Sequence, residues 1–262
     1  MLDRVTPMII TFNEMENLPR TLATLRWAKH IVVVDSGSTD GTVEFLRTDP
    51  RIEVLHRPFD DFARQCEAGL ALVRSEWVLS MDADYEPTTR LVEEISTLSP
   101  AEDVDGYAIG FDYCVFGHPL RGSLYPPRVA LHRRSGARYR MDGHGHRVAL
   151  DGEIHQLSGR IRHDDRKPLS RWLGAQARYA EAEAKHLLGA RWGQLGWADR
   201  VRKLIVVAPW LVPLYCLAVK GGLLDRLPGW HYAMQRGIAE AVLSMKLIEA
   251  KLGSFGSPHK EN

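Results

Sequence analysis

Two carboxylates directly behind an apolar run are the side chains whose types and spacing most clearly suggest chemistry. Asp82 and Asp84 follow residues 77–81, which have the character of a short buried strand. Mg²⁺ usually keeps several waters, takes one or two protein carboxylates and completes its shell with phosphate oxygens of a substrate. Mn²⁺ also accepts oxygen ligands. The pair therefore predicts a site where Mg or Mn holds a diphosphate, with a solvated turn as the alternative.

The residues before this pair alternate between strand and helix patterns. Runs rich in β-branched residues predict strands, and amphipathic spacing predicts the helices between them. Buried runs separated by helices are typical of parallel strands covered on both faces. We therefore predict an α/β fold with a Rossmann-like, mostly parallel sheet flanked by helices. The predicted strands are 8–12, 31–34, 52–55 and 77–81, and the predicted helices are 18–25, 42–47 and 62–73.

Two more polar loops leave the same predicted edge of the sheet. Thr11, Asn13 and Glu14 follow the first strand, and Asp35 opens a loop rich in turn formers at residues 35–42. Ligands of an α/β sheet bind outside the carboxyl ends of its strands. Asp35 can accept a hydrogen bond from a base or a ribose, and glycines allow close backbone approach. A polar turn that caps the next helix is the alternative for this loop.

Three segments together resemble family 2 glycosyltransferases of the GT-A fold. They are Ile-Ile-Thr-Phe-Asn-Glu at 9–14, Val-Val-Val-Asp-Ser-Gly-Ser-Thr-Asp-Gly-Thr at 32–42 and Trp-Val-Leu-Ser-Met-Asp-Ala-Asp at 77–84. Their order and spacing are similar to the branch that adds sugars to lipopolysaccharide core or related bacterial envelope glycans. The strong likeness covers about residues 8–87.

The resemblance implies an inverting transfer of a sugar from a nucleotide diphosphate sugar, with UDP as the expected nucleotide. The loop after the first strand and Asp35 would hold the uracil end, and Asp84 would bind the metal. A His after the middle region completes the metal shell in some GT-A enzymes, which makes His163 the second expected ligand. The residues expected to contact the nucleotide sugar are Thr11, Asn13, Glu14, Asp35, Arg64, Asp82 and Asp84.

The catalytic base is where this sequence departs from its relatives. The lipopolysaccharide-core branch usually carries His-Glu near Gly145 and His146, but this chain has the sequence Asp-Gly-His-Gly-His at residues 142–146. A base must take the proton of the acceptor hydroxyl, and such assistance typically adds ~10²–10⁴-fold to the rate. The expected catalytic residues are therefore Asp142 and His146. Glu153 and Asp165 remain open as alternatives.

The middle of the chain has the character of a β-rich acceptor side. Strands are predicted at 106–116, 129–133 and 154–163, and the first domain is expected to span 1–168, with halves 1–87 and 88–168. Basic residues here could bind the donor diphosphate, an acceptor phosphate or anionic headgroups, or could form a solvated face. They are Arg121, Arg128, Arg133, Arg134, Arg138, Arg140 and Arg147.

The remaining residues predict a helical region at 169–253 and a disordered tail at 254–262. Residues 204–219 carry no charge, but they are shorter than the ~20 residues that a spanning helix needs and contain two prolines. Trp210 and Tyr215 favour an interfacial or re-entrant membrane segment. A buried helical hairpin or an oligomer contact is the alternative.

Composition limits the partners and the compartment. The net charge is +1 over 262 residues, which argues against nucleic acid as a partner. Three cysteines without pairing by spacing suit a reducing compartment. The strand pattern begins too early for a signal peptide. We therefore expect a cytoplasmic protein, which would lie on the inner face of the cytoplasmic membrane if residues 204–219 touch lipid. Its expected partners are a nucleotide sugar and a glycan or lipid-linked acceptor.

Two other functions are compatible with parts of this pattern. A non-catalytic protein that binds a nucleotide sugar, or a scaffold, is suggested by the missing Glu near His146. A sugar nucleotidylyltransferase could share the α/β sheet and the metal carboxylates. The first loop lacks the glycines and basic residues that would bind a triphosphate, which disfavours this second alternative.

Overall fold

The computed structural model of the protein describes residues 1–142 and 145–255. The chain divides into two compact units. The first contains residues 1–119 and 124–166, and the second contains 120–123 together with the chain from residue 167 onward.

The first unit is built from strands and four helices of the described chain. The helices are α1 (Leu18–Thr24), α2 (Thr42–Leu46), α3 (Phe62–Leu72) and α4 (Thr89–Thr97). The strands are β1 (Val5–Thr11), β2 (Ile31–Asp35), β3 (Ile52–His56), β4 (Trp77–Asp82), β5 (Tyr85–Pro87), β6 (Val104–Val115), β7 (His118–Pro119), β8 (Arg128–Arg133), β9 (Arg138–Asp142), β10 (Gly145–Ala149) and β11 (Glu153–His163).

Most of these strands form one mixed sheet. Within the described residues its order is β3-β2-β1-β4-β8-β6-β11-β5, with β7 paired to β6, while β9 and β10 form a separate two-stranded sheet. Strands β1 to β4 run parallel to one another, whereas β8 is antiparallel to both β4 and β6. The α/β fold class predicted from the sequence is confirmed.

Strand β1 shows the largest difference in the first unit between a predicted and an observed strand boundary. It begins at Val5 rather than Met8, because its first three residues pair with β4 before β2 joins at Met8. Pro7 lies in this early part of β1. A proline is tolerated at such an edge because its missing N–H leaves no bond to β2 unmade.

Alternating side chains of the parallel strands fill two hydrophobic layers. Ile9 and Val33 face the layer that contains α1 and α4, whereas Met8 and Val32 face the layer that contains α3. Tyr139 and Val148 bring the β9–β10 hairpin into that second layer. Strands β1, β2 and β4 are thus mostly buried on both faces, as continuous apolar runs require.

The second unit is helical, as the sequence predicted for this region. It contains α5 (Leu169–Gly189), α6 (Trp197–Lys203), α7 (Ala208–Ala218) and α8 (Arg226–Phe255). Helix α5 packs against α8 around a core that includes Leu187 and Leu247. The predicted disordered tail begins too early, because α8 continues through Phe255. Residues 256–262 of that tail lie outside the described residues.

The uncharged stretch 204–219 is divided rather than continuous. Helix α7 starts at Ala208, with Pro209 in its first turn and Pro213 inside it, and it packs against α8 as a helical hairpin. A β-carbon on Gly237 of α8 would lie 3.3 Å from Pro213, so the two helices approach closely there. Among the described residues, no helix combines the length and the apolar character needed to cross a membrane.

Candidate active site

The predicted site residues of the first unit gather at the carboxyl edge of β1, β2 and β4. Thr11 of β1 is the register partner of Asp35 at the end of β2. Ile10 of β1 is the register partner of Asp82 at the end of β4. Neighbouring parallel strands therefore deliver the three polar loops to one edge, where α/β sheets bind their ligands.

The β1 and β2 loops are tied together by hydrogen bonds. The backbone N–H of Asn13 donates to Oγ of Ser38 at 2.7 Å, and Oδ1 of Asn13 accepts from the N–H of Thr39 at 2.7 Å. The N–H of Glu14 donates to Oγ1 of Thr42 at 2.9 Å. Asn13 has a φ of 56°, a conformation that asparagine tolerates better than most residues. The two loops thus hold each other in one arrangement.

Asp35 organises the β2 loop from inside. Its carboxylate is fully buried and accepts hydrogen bonds from the N–H of Gly37 at 2.9 Å and from the N–H and hydroxyl of Ser38. Nδ1 of His56 lies 3.4 Å from Oδ2. In this structure Asp35 shapes the loop, and its contact with a donor base stays a prediction.

Thr11 and Glu14 lie on the buried side of the same loops. Oγ1 of Thr11 is buried and has no hydrogen-bond partner among the residues that the structure describes. Oε2 of Glu14 accepts from Nδ2 of Asn17 at 2.8 Å, and the same nitrogen lies 3.2 Å from Oδ1 of Asp165. Asn17 therefore connects the β1 loop to the segment that follows β11.

Arg64 lies on the surface of α3. Its guanidinium is mostly exposed and pairs with Asp60 at 3.3 Å and with Asp61 at 3.4 Å. These partners are at the start of its own helix, so the structure does not bring Arg64 into an ion pair with Asp82 or Asp84.

Asp84 and His163, the two expected metal ligands, are adjacent. The short strand β5 pairs with β11, with Tyr85 opposite His163, and this pairing brings Oδ2 of Asp84 to 3.2 Å from Nε2 of His163. Burial lowers the pKa of His163, but the nearby carboxylates of Asp84, Asp82 and Asp165 raise it more, so the pKa lies above its ordinary value.

Three tyrosines surround the His163 ring. The ring centroids of Tyr85, Tyr113 and Tyr125 lie 5.2, 4.9 and 4.8 Å from that of His163. The hydroxyls of Tyr85 and Tyr125 are hydrogen-bonded to each other. Burial raises the pKa of both tyrosines, so their hydroxyls remain protonated. These rings fix the orientation of the imidazole, and the sequence did not single them out.

Arg128 at the start of β8 is a second group that the sequence did not single out from its basic neighbours. Its Nη1 donates to the hydroxyl of Tyr125 at 3.3 Å, and its guanidinium carbon lies 5.3 Å from the centre of that ring. Burial lowers the pKa of Arg128, but Tyr125, Tyr85 and Asp82 raise it more. A half-buried cation therefore interacts electrostatically with Asp82 at the carboxyl edge of the sheet.

His146 is the described member of the expected catalytic pair. It lies on β10, with its ring 6.1 Å from that of Phe62 and 5.7 Å from that of Tyr139. Burial lowers its pKa, which the charge of Asp82 partly offsets and that of Arg128 reinforces. The ring is therefore neutral near pH 7 and can accept a proton. Asp142 ends β9, but its side chain and residues 143–144 lie outside the described residues.

The two alternative bases occupy different places. Glu153 begins β11 and pairs with His155 at 3.0 Å, at the opposite end of that strand from His163. Asp165 follows β11, contacts Asn17 and contributes to the raised pKa of His163. Asp165 is therefore near the proposed metal ligands, whereas Glu153 is remote from them.

A partly buried ionic network supports the segment that carries His163 and Asp165. Nη1 of Arg20 contacts Glu86 and lies 2.9 Å from Oδ2 of Asp164, and Nη2 donates to Oδ1 of Asn17 at 2.6 Å. Nε of Arg166 donates to Oδ2 of Asp164 at 2.8 Å. Each carboxylate has a partner, which makes burial of these charges tolerable. The network joins α1, β5 and the end of β11.

The described residues contain no cluster of three or more His, Cys, Asp or Glu side chains arranged to hold a metal. Asp84 and His163 are therefore a partial donor set. A cation bound there would need oxygen atoms from water or substrate to complete its shell.

Parallel strands with interlocked loops and acidic groups at their carboxyl edge form the kind of site where α/β proteins bind their ligands. Residues 8–146, more than half of the chain, match the model of glycosyl transferase family 2. The chain belongs to this family of glycosyltransferase enzymes, as the resemblance of its three loops predicted.

Three curated relatives cover part of the chain. Undecaprenyl-phosphate mannosyltransferase of Micrococcus luteus is 35% identical over 113 residues, 36% of this chain and 45% of that protein. The lipopolysaccharide core biosynthesis glycosyltransferase LpsC of Rhizobium meliloti is 30% identical over 121 residues, 42% of this chain and 45% of that protein. An uncharacterized glycosyltransferase of Rickettsia bellii is 29% identical over 105 residues, 40% and 35% of the two chains. The chain thus spans less than half the length of these relatives.

Among solved structures, the chain resembles residues 1–349 of S. aureus TarS in complex with UDP-GlcNAc. The two are 14% identical with a TM-score of 0.49, and the likeness covers 95% of this chain and 92% of that chain. At this TM-score the likeness is distant, and nothing about the donor follows from it.

Proposed function

We propose that the protein transfers a sugar from a nucleotide diphosphate sugar, with UDP as the nucleotide, to a hydroxyl of an envelope glycan or lipid-linked acceptor. The observation that carries this proposal is the contact between Asp84 and His163 beside Asp82 and Arg128 at the carboxyl edge of the sheet. The acceptor class is supported by the names of two relatives, one a lipopolysaccharide core enzyme and one an undecaprenyl-phosphate mannosyltransferase.

The donor would lie across the three loops. Its base would enter between the β1 and β2 loops, where Thr11 offers a buried hydroxyl and Asp35 holds the loop in shape. Its diphosphate would extend toward Asp82 and Asp84. Arg128 would bind that diphosphate, because a guanidinium presents several donors in a planar fork that fits phosphate oxygens.

The residues present fit a divalent cation. Adjacent ligands of an octahedral Mg²⁺ or Mn²⁺ ion lie about 3 Å apart when metal–ligand distances are about 2.1 Å. The 3.2 Å between Oδ2 of Asp84 and Nε2 of His163 is close to this value. Asp84 and His163 would hold the cation while waters and phosphate oxygens complete its shell. When bound, such a cation neutralises negative charge on the departing diphosphate.

The transfer needs a group that accepts a proton from the acceptor hydroxyl. His146 suits this role because burial keeps its ring neutral near pH 7, and Asp142 is the other candidate. The acceptor oxygen would attack the anomeric carbon as its proton passes to the base. The bond to the diphosphate breaks on the opposite face, so the configuration at that carbon inverts.

The first test is a thermal-shift and calorimetric titration of the protein with UDP-, GDP- and dTDP-sugars, with and without Mn²⁺ or Mg²⁺. Asp84→Asn removes the negative charge of the proposed metal ligand. Asp103→Asn is the matched control, because Asp103 is exposed and directly precedes the first residue of β6, at the end of that strand remote from His163. We expect metal-dependent stabilisation by one UDP-sugar, about 3 kcal/mol when the free sugar is ~100-fold above Kd. The stabilisation should vanish in Asp84→Asn and persist in Asp103→Asn.

Two results would contradict the proposal. If the protein is folded and no nucleotide sugar stabilises it, the transferase function is ruled out and the scaffold alternative remains. Formation of a nucleotide sugar from a nucleoside triphosphate and a sugar phosphate would instead establish a nucleotidylyltransferase.

A further inference from the structure

Helix α7 is apolar on the face that it turns to solvent as well as on the face that it buries. Ala208, Cys216 and Leu217 are buried in the second unit. The outer face has helical spacing and is exposed, with Trp210 at 76% and Leu214 at 62%. A surface helix of a globular protein normally carries polar residues there. The outer face comprises Val207, Trp210, Leu211, Leu214, Tyr215 and Ala218.

The connection from α7 to α8 continues this apolar surface. We name residues 219–227 the hairpin tip. Leu223, Leu224 and Leu227 are exposed, Leu227 at 82%, and Val219 is exposed where α7 ends. Folded proteins rarely leave so many large apolar side chains in water on one short segment unless they bind something.

Positive charge surrounds the tip. Lys220 and Arg226 belong to it, and Arg121 reaches it from the short segment of the second unit at residues 120–123. Its one carboxylate, that of Asp225, is almost buried and accepts from the N–H of Arg121 at 3.0 Å, with Nε of Arg121 at 3.3 Å. The Arg121 guanidinium remains mostly exposed. Arg121 and Arg226 therefore face solvent at the tip while the single anion is covered.

We propose that the hairpin tip and the outer face of α7 bind an anionic lipid surface. Leucines, Trp210 and Tyr215 would enter the boundary between headgroups and acyl chains, and the cations would meet headgroup phosphates. A second copy docked tip to tip would bring like charges together, which disfavours a dimer. This inference concerns where the protein acts and does not depend on the proposed sugar transfer.

The test is co-sedimentation of the full chain with vesicles of phosphatidylcholine alone or mixed in equal parts with phosphatidylglycerol. A triple variant, Leu223→Ser with Leu224→Ser and Leu227→Ser, removes exposed apolar area at the tip. Met245→Ser is the matched control, because Met245 is 62% exposed on α8 far from the tip. Arg226→Gln tests the charge, with Arg47→Gln in the first unit as its control.

We expect binding to the mixed vesicles and much weaker binding to phosphatidylcholine alone. The triple variant should lose about ten-fold or more in partitioning, because partitioning scales with buried apolar area. Arg226→Gln should lose about five-fold, whereas both controls should bind as the parent chain does. The proposal would be overturned if the parent chain ignored mixed vesicles or the triple variant still bound them. If the parent chain ignored lipid but formed a dimer, and the triple variant were monomeric, the surface would be a subunit interface instead.

Discussion

The proposed donor side and the proposed acceptor side of the candidate active site are held in place in different ways. On the donor side, the β1 and β2 loops share several hydrogen bonds, so each bond is supported by its neighbours. On the acceptor side, the β9–β10 hairpin pairs only with itself among the described strands. Its polar links to the rest of the unit include two made by Tyr139, whose N–H donates to Glu67 and whose hydroxyl lies 2.8 Å from Nε2 of His132.

This difference suits the two substrates of a transferase. The nucleotide diphosphate is the same in every turnover, and interlocked loops present it with fixed donors and acceptors. An acceptor sugar varies in shape between related enzymes, and a hairpin with few anchors can change without disturbing the sheet. We infer that donor binding and acceptor activation can be separated by mutation.

The largest expected effect falls on the acceptor side, at His146. Removal of a general base typically slows an enzyme by ~10²–10⁴-fold. We expect His146→Ala to lower kcat about a hundred-fold or more while the Kd of the nucleotide sugar stays unchanged. Single-turnover transfer and donor titration on the same preparations would separate the two quantities.

The pH profile distinguishes a base from a structural residue. The parent enzyme should lose kcat as pH falls through the lowered pKa of His146, and the variant should lose that acid limb. His155→Gln is the control, because His155 is half-exposed near the far end of β11. An unchanged kcat in His146→Ala would move the role to Asp142 or Asp165.

The next effect concerns the anchor of the acceptor-side hairpin. His132 is fully buried, and burial lowers its pKa to about 4 from 6.5. The unfolded chain therefore binds this proton more tightly than the folded one, so stability is complete above pH 6.5 and is lost as pH falls toward 4. We expect the contribution of His132 to the free energy of unfolding to fall by about 3 kcal/mol between pH 6.5 and pH 4.

Chemical denaturation across this pH range, read by circular dichroism, would measure the loss. His132→Gln cannot titrate, so its stability should change less between pH 6.5 and 4 than that of the parent chain. His155→Gln should lose as much stability between pH 6.5 and 4 as the parent chain does. Equal slopes for His132→Gln and the parent chain would show that His132 is not the acid-sensitive anchor.

Local patterns explain which parts of this molecule the sequence could predict. Strands β1 to β4 and the loops after them are each encoded within a dozen consecutive residues, so periodicity and turn residues predicted them. The aromatic surround of His163 joins Tyr85 to Tyr125, and the ionic network joins Arg20 to Asp164, 144 residues away. No local pattern marks such pairs, because only the fold brings them together.

The β9–β10 hairpin shows a second reason why the sequence failed to predict part of the structure. Arginines at 138, 140 and 147 gave this segment the character of a charged face. In the structure Tyr139 and Val148 alternate inward between them and pack against the α3 layer. A two-residue inward set within a basic stretch is too short a pattern to indicate a strand pair.

The smallest expected effect tests whether the donor loops are as redundant as their contacts suggest. Oγ of Ser38 accepts from the N–H of Asn13 and donates to Asp35. Ser38→Ala removes both bonds, but Asp35 keeps the N–H groups of Gly37 and Ser38, and Asn13 keeps its bond from Thr39. We therefore expect a loss of only about 1 kcal/mol in unfolding free energy.

Donor affinity should fall by less than about ten-fold in the same variant, because the remaining bonds hold the loop near its binding geometry. Thr48→Ala is the control, since the hydroxyl of Thr48 also takes part in a local hydrogen bond, to the carbonyl of Phe45, but lies at an exposed position just after α2. Urea denaturation and donor titration would measure both effects. If Ser38→Ala abolished donor binding in folded protein, the donor loops would depend on one hydroxyl, and the contrast with the acceptor-side hairpin would fail.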